Sequence, residues 1–133
     1  MVYKISPPTP RAELRFAGEI RFGPAYFVLW IDGREIPNRI FGDCLQWSAD
    51  GRFLVAQEWL TTDYGSGPIT CAAVIDVENR KIARMKTIQK GFAEDFQLEE
   101  DTLIYRENLP AKGKSTEMKI ALAAIDNWQD VGG

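Results

Sequence analysis

The sequence predicts an all-β protein: two antiparallel four-stranded meanders packed together, ending in a strand or a short helix near the C-terminus. Three observations lead there. A short apolar segment recurs, as Cys71-Ala72-Ala73-Val74-Ile75-Asp76 and, fifty positions later, as Ala121-Leu122-Ala123-Ala124-Ile125-Asp126. Tyr26-Phe27-Val28-Leu29-Trp30-Ile31-Asp32 reads as an earlier copy. Two copies then continue alike, Ile31–Ile36 matching Val77–Ile82, and Trp47–Leu54 lining up with Leu98–Leu103. A period of roughly 45–50 residues filled with short strands and tight turns marks repeated sheet units. The third observation is turn chemistry: Asp32-Gly33 and Ala49-Asp50-Gly51 punctuate apolar runs as hairpin turns do.

The elements follow in order. Pro7, Pro8 and Pro10 cannot pair inside a sheet and predict an extended lead-in. Residues 12–22 alternate, Leu14 and Phe16 against Glu13 and Arg15, with a bulge or bend near Gly18. Gly23-Pro24 turns the chain. Ala25–Ile31 is almost wholly apolar, as expected of a strand covered on both faces. Asp32-Gly33 leads to a short return at Arg34–Ile36, which Pro37-Asn38 ends. Strands are predicted at Ile40–Trp47 and Arg52–Leu60, completing the first meander over residues 11–60. Residues 61–68, rich in Gly, form a connecting loop.

The second meander, residues 69–107, has strands at Ile69–Val77, Lys81–Ile88, Phe92–Leu98 and Thr102–Glu107. Residues 80–90 and 116–126 also carry apolar positions at helical spacing, Ile82, Met85 and Ile88, then Met118, Leu122 and Ile125. Alignment with the other copies favours strand in both. Residues 116–128 are the terminal element, and the whole chain of 133 residues is predicted to form one domain. Trp30, Trp47, Phe53, Val55, Val74 and Leu103 are the candidate core.

The stretch Trp47-Ser48-Ala49-Asp50-Gly51-Arg52-Phe53-Leu54-Val55-Ala56 resembles the Trp-Ser-x-Asp-Gly-x-x-Leu-x-Ala hairpin of β-propeller blades, the TolB-like and WD40-like kinds in particular. The resemblance covers residues 25–107, with a partial copy at 117–126. It implies blade-like sheets and nothing about activity. A propeller closes with at least four blades, and this chain holds two and a fraction. The resemblance therefore implies a small sandwich of two sheets, or a partial propeller completed by further copies of the chain.

Composition narrows the function. Net charge is −3 and the pI near 5.0, which argues against a nucleic-acid partner held through phosphates. There is no histidine, so the commonest general base, zinc ligand and pH switch are all missing. Cys44 and Cys71 lie in apolar runs and read as buried, reduced thiols. No secretory h-region opens the sequence, and no run approaches the ~20 apolar residues of a membrane span. A cytoplasmic protein without a membrane segment, cofactor or metal is expected.

Those features favour a non-enzymatic protein-binding module, of which a bacterial immunity protein that blocks a toxin is one form. Recognition should fall on loops and charged turns. Asp63 and Tyr64 in the 61–68 loop, Trp59 just before it with partial exposure, and the acidic turn Glu99-Glu100-Asp101 are the candidate partner-binding residues. Over residues 94–107 six acids face one base, Arg106, whereas residues 80–90 hold Arg80, Lys81, Arg84, Lys86 and Lys90 without an acid. The two segments either pair across a sheet or present a polarised face to a charged partner. Two alternatives stand beside the binding module: a carboxylate-based hydrolase or small-ligand protein built on Glu58, Asp63 and Tyr64, and a subunit that associates with copies of itself through bare edge strands.

Overall fold

A computed structural model describes residues 12–20, 23–63, 65 and 67–131. The proline lead-in, the end of the first predicted strand at residues 21 and 22, Tyr64 and the last two glycines lie outside the described residues. The protein is all-β, with no α-helix among the described residues. Among these residues twelve strands follow in order: β1 (Ala12–Glu19), β2 (Ala25–Ile31), β3 (Arg34–Glu35), β4 (Ile40–Trp47), β5 (Phe53–Trp59), β6 (Ile69–Asp76), β7 (Lys81–Arg84), β8 (Ile88–Gln89), β9 (Phe92–Glu99), β10 (Thr102–Leu109), β11 (Lys114–Ala121) and β12 (Gln129–Asp130).

The strands form two antiparallel sheets. The large sheet has nine strands in the order β1-β2-β4-β5-β6-β7-β12, with β3 on β2 and β8 on β6. The small sheet has three, β11-β10-β9. The strands are thus divided differently from the predicted pair of four-stranded meanders. β5 and β6 lie side by side from Phe53↔Asp76 to Trp59↔Thr70, so the loop at 61–68 connects neighbours in one sheet. Both strands are buried along almost their whole length. Backbone polar groups so buried need partners, and the two strands satisfy each other.

The turns obey their chemistry. Asp32 and Gly33 take φ of 52° and 79°, the double positive φ of a type I′ hairpin. In the Trp47–Ala56 hairpin the Ser48 hydroxyl donates to Asp50 Oδ1 at 2.7 Å and accepts from the Phe53 N–H at 2.9 Å, while Asp50 Oδ1 also accepts from the Arg52 N–H. The Ser and the Asp of that motif therefore fasten the turn. In β1 the register slips between Phe16 and Gly18, where the sequence predicts a bulge. A second slip lies between Phe41 and Leu45. At Gly42 a Cβ would stand 1.9 Å from Gln57 Oε1, so a larger residue there would have to push the Gln57 side chain aside.

Residues 80–90 contain β7 and β8, separated by Met85–Thr87, so one continuous strand is not formed. Residues 114–121 pair along β10, Leu103 opposite Ile120 and Tyr105 opposite Met118, and a 3-10 turn follows at Leu122–Ala124. That turn sends Leu122 and Ile125 into the core, which is what the helical spacing of those residues reflects.

The core has two parts, and the central strands serve both. Val55 and Val74 pack with Ala93, Phe96, Leu103 and Tyr105 of the small sheet. Leu54, Ala56, Ala73 and Ile75 point the other way and pack with Leu29, Ile31, Phe41, Ile82 and Val131. Period-two alternation on β5 and β6 thus feeds two apolar layers. Val55, Val74 and Leu103 are buried as predicted, but Trp30, Trp47 and Phe53 are only partly buried. Trp47 sits at the margin of the second cluster, Phe53 stacks on Trp128, and Arg15 covers the Trp30 ring at 4.0 Å from its centroid. Phe41, fully enclosed at 0% exposure, is the aromatic anchor instead. Phe41→Ala is expected to destabilise by about 3–5 kcal/mol, the range for a buried aromatic, with Trp47→Ala clearly below it. Urea denaturation of the two variants measures this, and equal losses would contradict the assignment.

Candidate functional site

A carboxylate in the middle of a buried strand sets up the most organised polar site. Glu58 on β5 faces Phe41 across to β4 and Cys71 across to β6, and is 1% exposed. A charge there needs compensation, since isolated burial is prohibitive. Two arginines supply it. Arg39, from the turn before β4, donates through Nη1 to both carboxylate oxygens at 3.1 and 3.3 Å. Arg84, at the end of β7, donates Nε and Nη2 to the same oxygens at 3.1 and 2.7 Å, the bidentate geometry of a strong charge-assisted pair. The C-terminal segment joins in: Gln129 Oε1 accepts from Arg39 Nη2, and Asn127 Nδ2 donates to the Arg84 carbonyl.

Around this triad opens a groove of about 560 Å³ lined by Asn38, Arg39, Ile40, Trp59, Leu60, Thr61, Thr62 and Arg84, with Glu58 at its base. The Arg39 side chain is 12% exposed and that of Arg84 47%. The hydrogen bond to Glu58 raises Arg84 above its ordinary value. Beside them the Cys71 thiol is pushed up to about 12, by burial first and by the Glu58 charge second. Cys44 is pushed up to about 11, again chiefly by burial. Both thiols are free, Cys71 buried and Cys44 half-buried.

The residues singled out from sequence are not gathered in one place. Trp59 is 3% exposed, against the partial exposure predicted for it. Its ring packs on Phe92 at 5.7 Å and its indole N–H donates to Gln57 Oε1, a contact that the missing Cβ of Gly42 leaves room for. Asp63 is exposed and shapes its own loop: Oδ1 accepts from the Gly65 N–H at 2.8 Å, and its N–H donates to Thr61 Oγ1. It does not line the groove that holds Glu58, so the two carboxylates do not converge.

Glu99, Glu100 and Asp101 form the β9–β10 turn, with Glu100 at a φ of 55°. All three are exposed, and none has a side-chain partner among the described residues. The Asp101 carbonyl accepts from the Leu122 N–H at 2.8 Å, which ties the turn to the 3-10 segment. Loop 61–68 meets the other end of the same hairpin, where Pro68 accepts from the Gly91 N–H. The length of β9 separates the two sites by roughly 23 Å at about 3.3 Å per residue.

Several acids elsewhere are engaged. Glu13 pairs with Arg15, Glu107 with Lys86 and Asp130 with Lys81. Burial opposes the charge on Asp76, yet hydrogen bonds from Arg52 and Asn79 hold its carboxyl below the usual carboxylate range. In the basic run at 80–90, Lys81, Arg84 and Lys86 thus pair with Asp130, Glu58 and Glu107; among the described residues only Lys86–Glu107 links the run to the acidic segment. Arg39 and Arg84 escape a reading of the sequence as site residues. The available signal is Glu58 itself, a charge inside a strand buried on both faces, which demands a cation. Comparison with family models, curated proteins and solved structures finds no match for the chain.

Two outcomes follow. Glu58→Gln leaves two arginines facing a weak acceptor and should destabilise by roughly 3–5 kcal/mol, as breaking a buried pair does. Arg84→Met should lose less, since Arg39 still compensates Glu58. Urea denaturation ranks them, and an Arg84→Met loss equal to that of Glu58→Gln would contradict the shared compensation. The second outcome concerns pH. The Cys71 thiol titrates near 12 folded and near about 8.5 unfolded. Its contribution to stability is complete below pH ~8.5 and is lost as pH rises towards ~12. Cys71→Ala should therefore shrink the fall in urea midpoint between about pH 8 and about pH 10.5, and an unchanged fall would place the alkaline sensitivity elsewhere.

Proposed function

We infer that this chain is a non-enzymatic protein-binding module that presents the acidic turn Glu99-Glu100-Asp101 to a basic surface of its partner. One observation carries the reading: Glu99, Glu100 and Asp101 are three adjacent exposed carboxylates without a side-chain partner among the described residues, whereas the other acids that make no hydrogen bond or salt bridge there, Glu19, Glu35, Glu78, Asp95 and Asp126, each stand singly. A turn needs only its left-handed residue to form, so the additional charge is surplus to folding. The turn is also held in place, by the ladder of β9 with β10 and by the Leu122 N–H on the Asp101 carbonyl. Fixed charge of this kind steers encounter and sets register. An immunity-type inhibitor that covers a basic active site is one form such a module takes. The loop around Asp63 is a separate surface at the far end of the hairpin.

A hydrolase built on Glu58 and Asp63 has weaker support, because the acceptor positions of Glu58 are taken by four N–H bonds from two arginines. The blade-like character of the chain belongs to this reading as well. The Trp47–Ala56 hairpin is taken here as a blade-type unit used inside a larger sheet, a rigid support for recognition turns.

Reversal of both charges, Glu99→Lys with Glu100→Lys, tests the function. Stability should stay within about ±0.5 kcal/mol, as for other exposed changes. Stoichiometric capture of a partner from native lysate should be lost, and the salt dependence of its binding by the wild type should flatten in the variant. Capture and salt dependence that survive the reversal unaltered overturn the role of the turn.

A further inference from the structure

The triad of Arg39, Glu58 and Arg84 is not electrically neutral. Two guanidinium groups meet one carboxylate, which leaves one positive charge at a concave surface. Among the described residues, Glu58 is the one carboxylate paired with Arg84. The excess is also accessible, since nearly half of the Arg84 side chain is exposed.

The arrangement does more than hold a charge. Glu58 fixes Arg84 through Nε and Nη2, so the guanidinium plane is set and Nη1 is left without a partner among the described residues. Arg39 is set in the same way by Glu58 and Gln129, with its Nε unbonded there. Thr62 and Asn38 line the same groove, and their side chains make no hydrogen bond among the described residues. Asn38 is held at a φ of 61°, so the turn that presents it is conformationally defined. Ile40, Trp59 and Leu60 supply an apolar wall. A groove of about 560 Å³ falls within the range of small-molecule sites, which combine apolar walls with a few placed polar groups.

We propose that this groove is a binding site for a small oxyanion, a carboxylate or a phosphate, held by the free edge of Arg84 with Thr62 and Asn38 as further donors. Planar guanidinium groups match both anions, and here the usual entropic penalty of fixing the side chain is met by the ion pair behind it. Glu58 is thereby a positioning residue: it orients the arginines and does not touch the ligand. The site is separate from the acidic turn. Trp59 in its wall packs on Phe92, at the opposite end of β9 from Glu99. It therefore stands or falls independently of the protein-binding reading.

The test is a titration of the intact protein with inorganic phosphate, with acetate, and with chloride at matched ionic strength. The Nε–Hε signals of Arg39 and Arg84 and the backbone amides of residues 60–62 are followed by NMR. Saturable shifts with a Kd on the order of 1 mM are expected. Saturation by phosphate alone identifies a phosphate site, saturation by acetate alone a carboxylate site, and saturation by both a general oxyanion site. Arg84→Lys keeps the charge but loses the planar edge and should weaken binding about tenfold. The double variant Asn38→Ala with Thr62→Ala alters only unbonded groove side chains and should weaken it several-fold, so the test survives if Arg84→Lys fails to fold. Shifts that never saturate, that follow chloride equally, or that are unchanged in the double variant would overturn the proposal.

Discussion

The ladder between β5 and β6 is the constraint on which both cores and the polar site depend. The two strands pair without a register slip and are buried along almost their whole length. A pair covered on both faces must supply apolar side chains in both directions. Val55 and Val74 do so towards the small sheet; Leu54, Ala56, Ala73 and Ile75 do so towards the strands on either side. Each apolar layer therefore shares a wall with the other. A change that tilts this ladder is felt by both, because close-packed interiors transmit strain.

Burial on both sides also decides what happens to the polar residues of these strands. Gln57, Glu58 and Thr70 are enclosed, and each must find a partner or forfeit stability. Gln57 donates to the Ala93 carbonyl, and Thr70 donates to the Gly91 carbonyl while accepting from the Ala93 N–H. These bonds stitch the large sheet to the beginning of β9 and fix how the small sheet lies against it. Glu58, being charged, draws in Arg39 and Arg84 from two separate turns and strands. The groove is thus a consequence of where the ladder buries a carboxylate. A buried ion pair is weak evidence for stability in itself, but it is an effective device for holding guanidinium groups in one orientation.

Much of the secondary structure was legible because its causes are local. The alternation of Leu14 and Phe16, the apolar run of Ala25–Ile31 and the Asp32-Gly33 turn each encode their own conformation within a few residues, and β1, β2 and the type I′ hairpin sit where these signals place them. The break in the basic run 80–90 was not legible, since β7 and β8 are short segments that pair with different parts of β6, Ala73–Asp76 and Ile69–Thr70. Nor was the aromatic core: the repeat pointed to Trp47, yet Phe41 is the enclosed ring, because exposure depends on what lies opposite a strand end. At the site, the exposure of Asp63 and of Glu99–Asp101 followed from turn chemistry alone.

By itself the sequence determined the strands, most of the turns, the all-β class and which charged turns face solvent. Period-two patterning and left-handed turn residues act over a handful of positions, so they are written in the chain directly. Tertiary structure alone decided which strands became neighbours, that β5 and β6 join one sheet, and that Arg39 and Arg84 meet across Glu58. Strand pairing is a competition among distant segments that share the same apolar pattern, and it is settled by the burial of both faces at once. A guanidinium finds its carboxylate only after that competition is over.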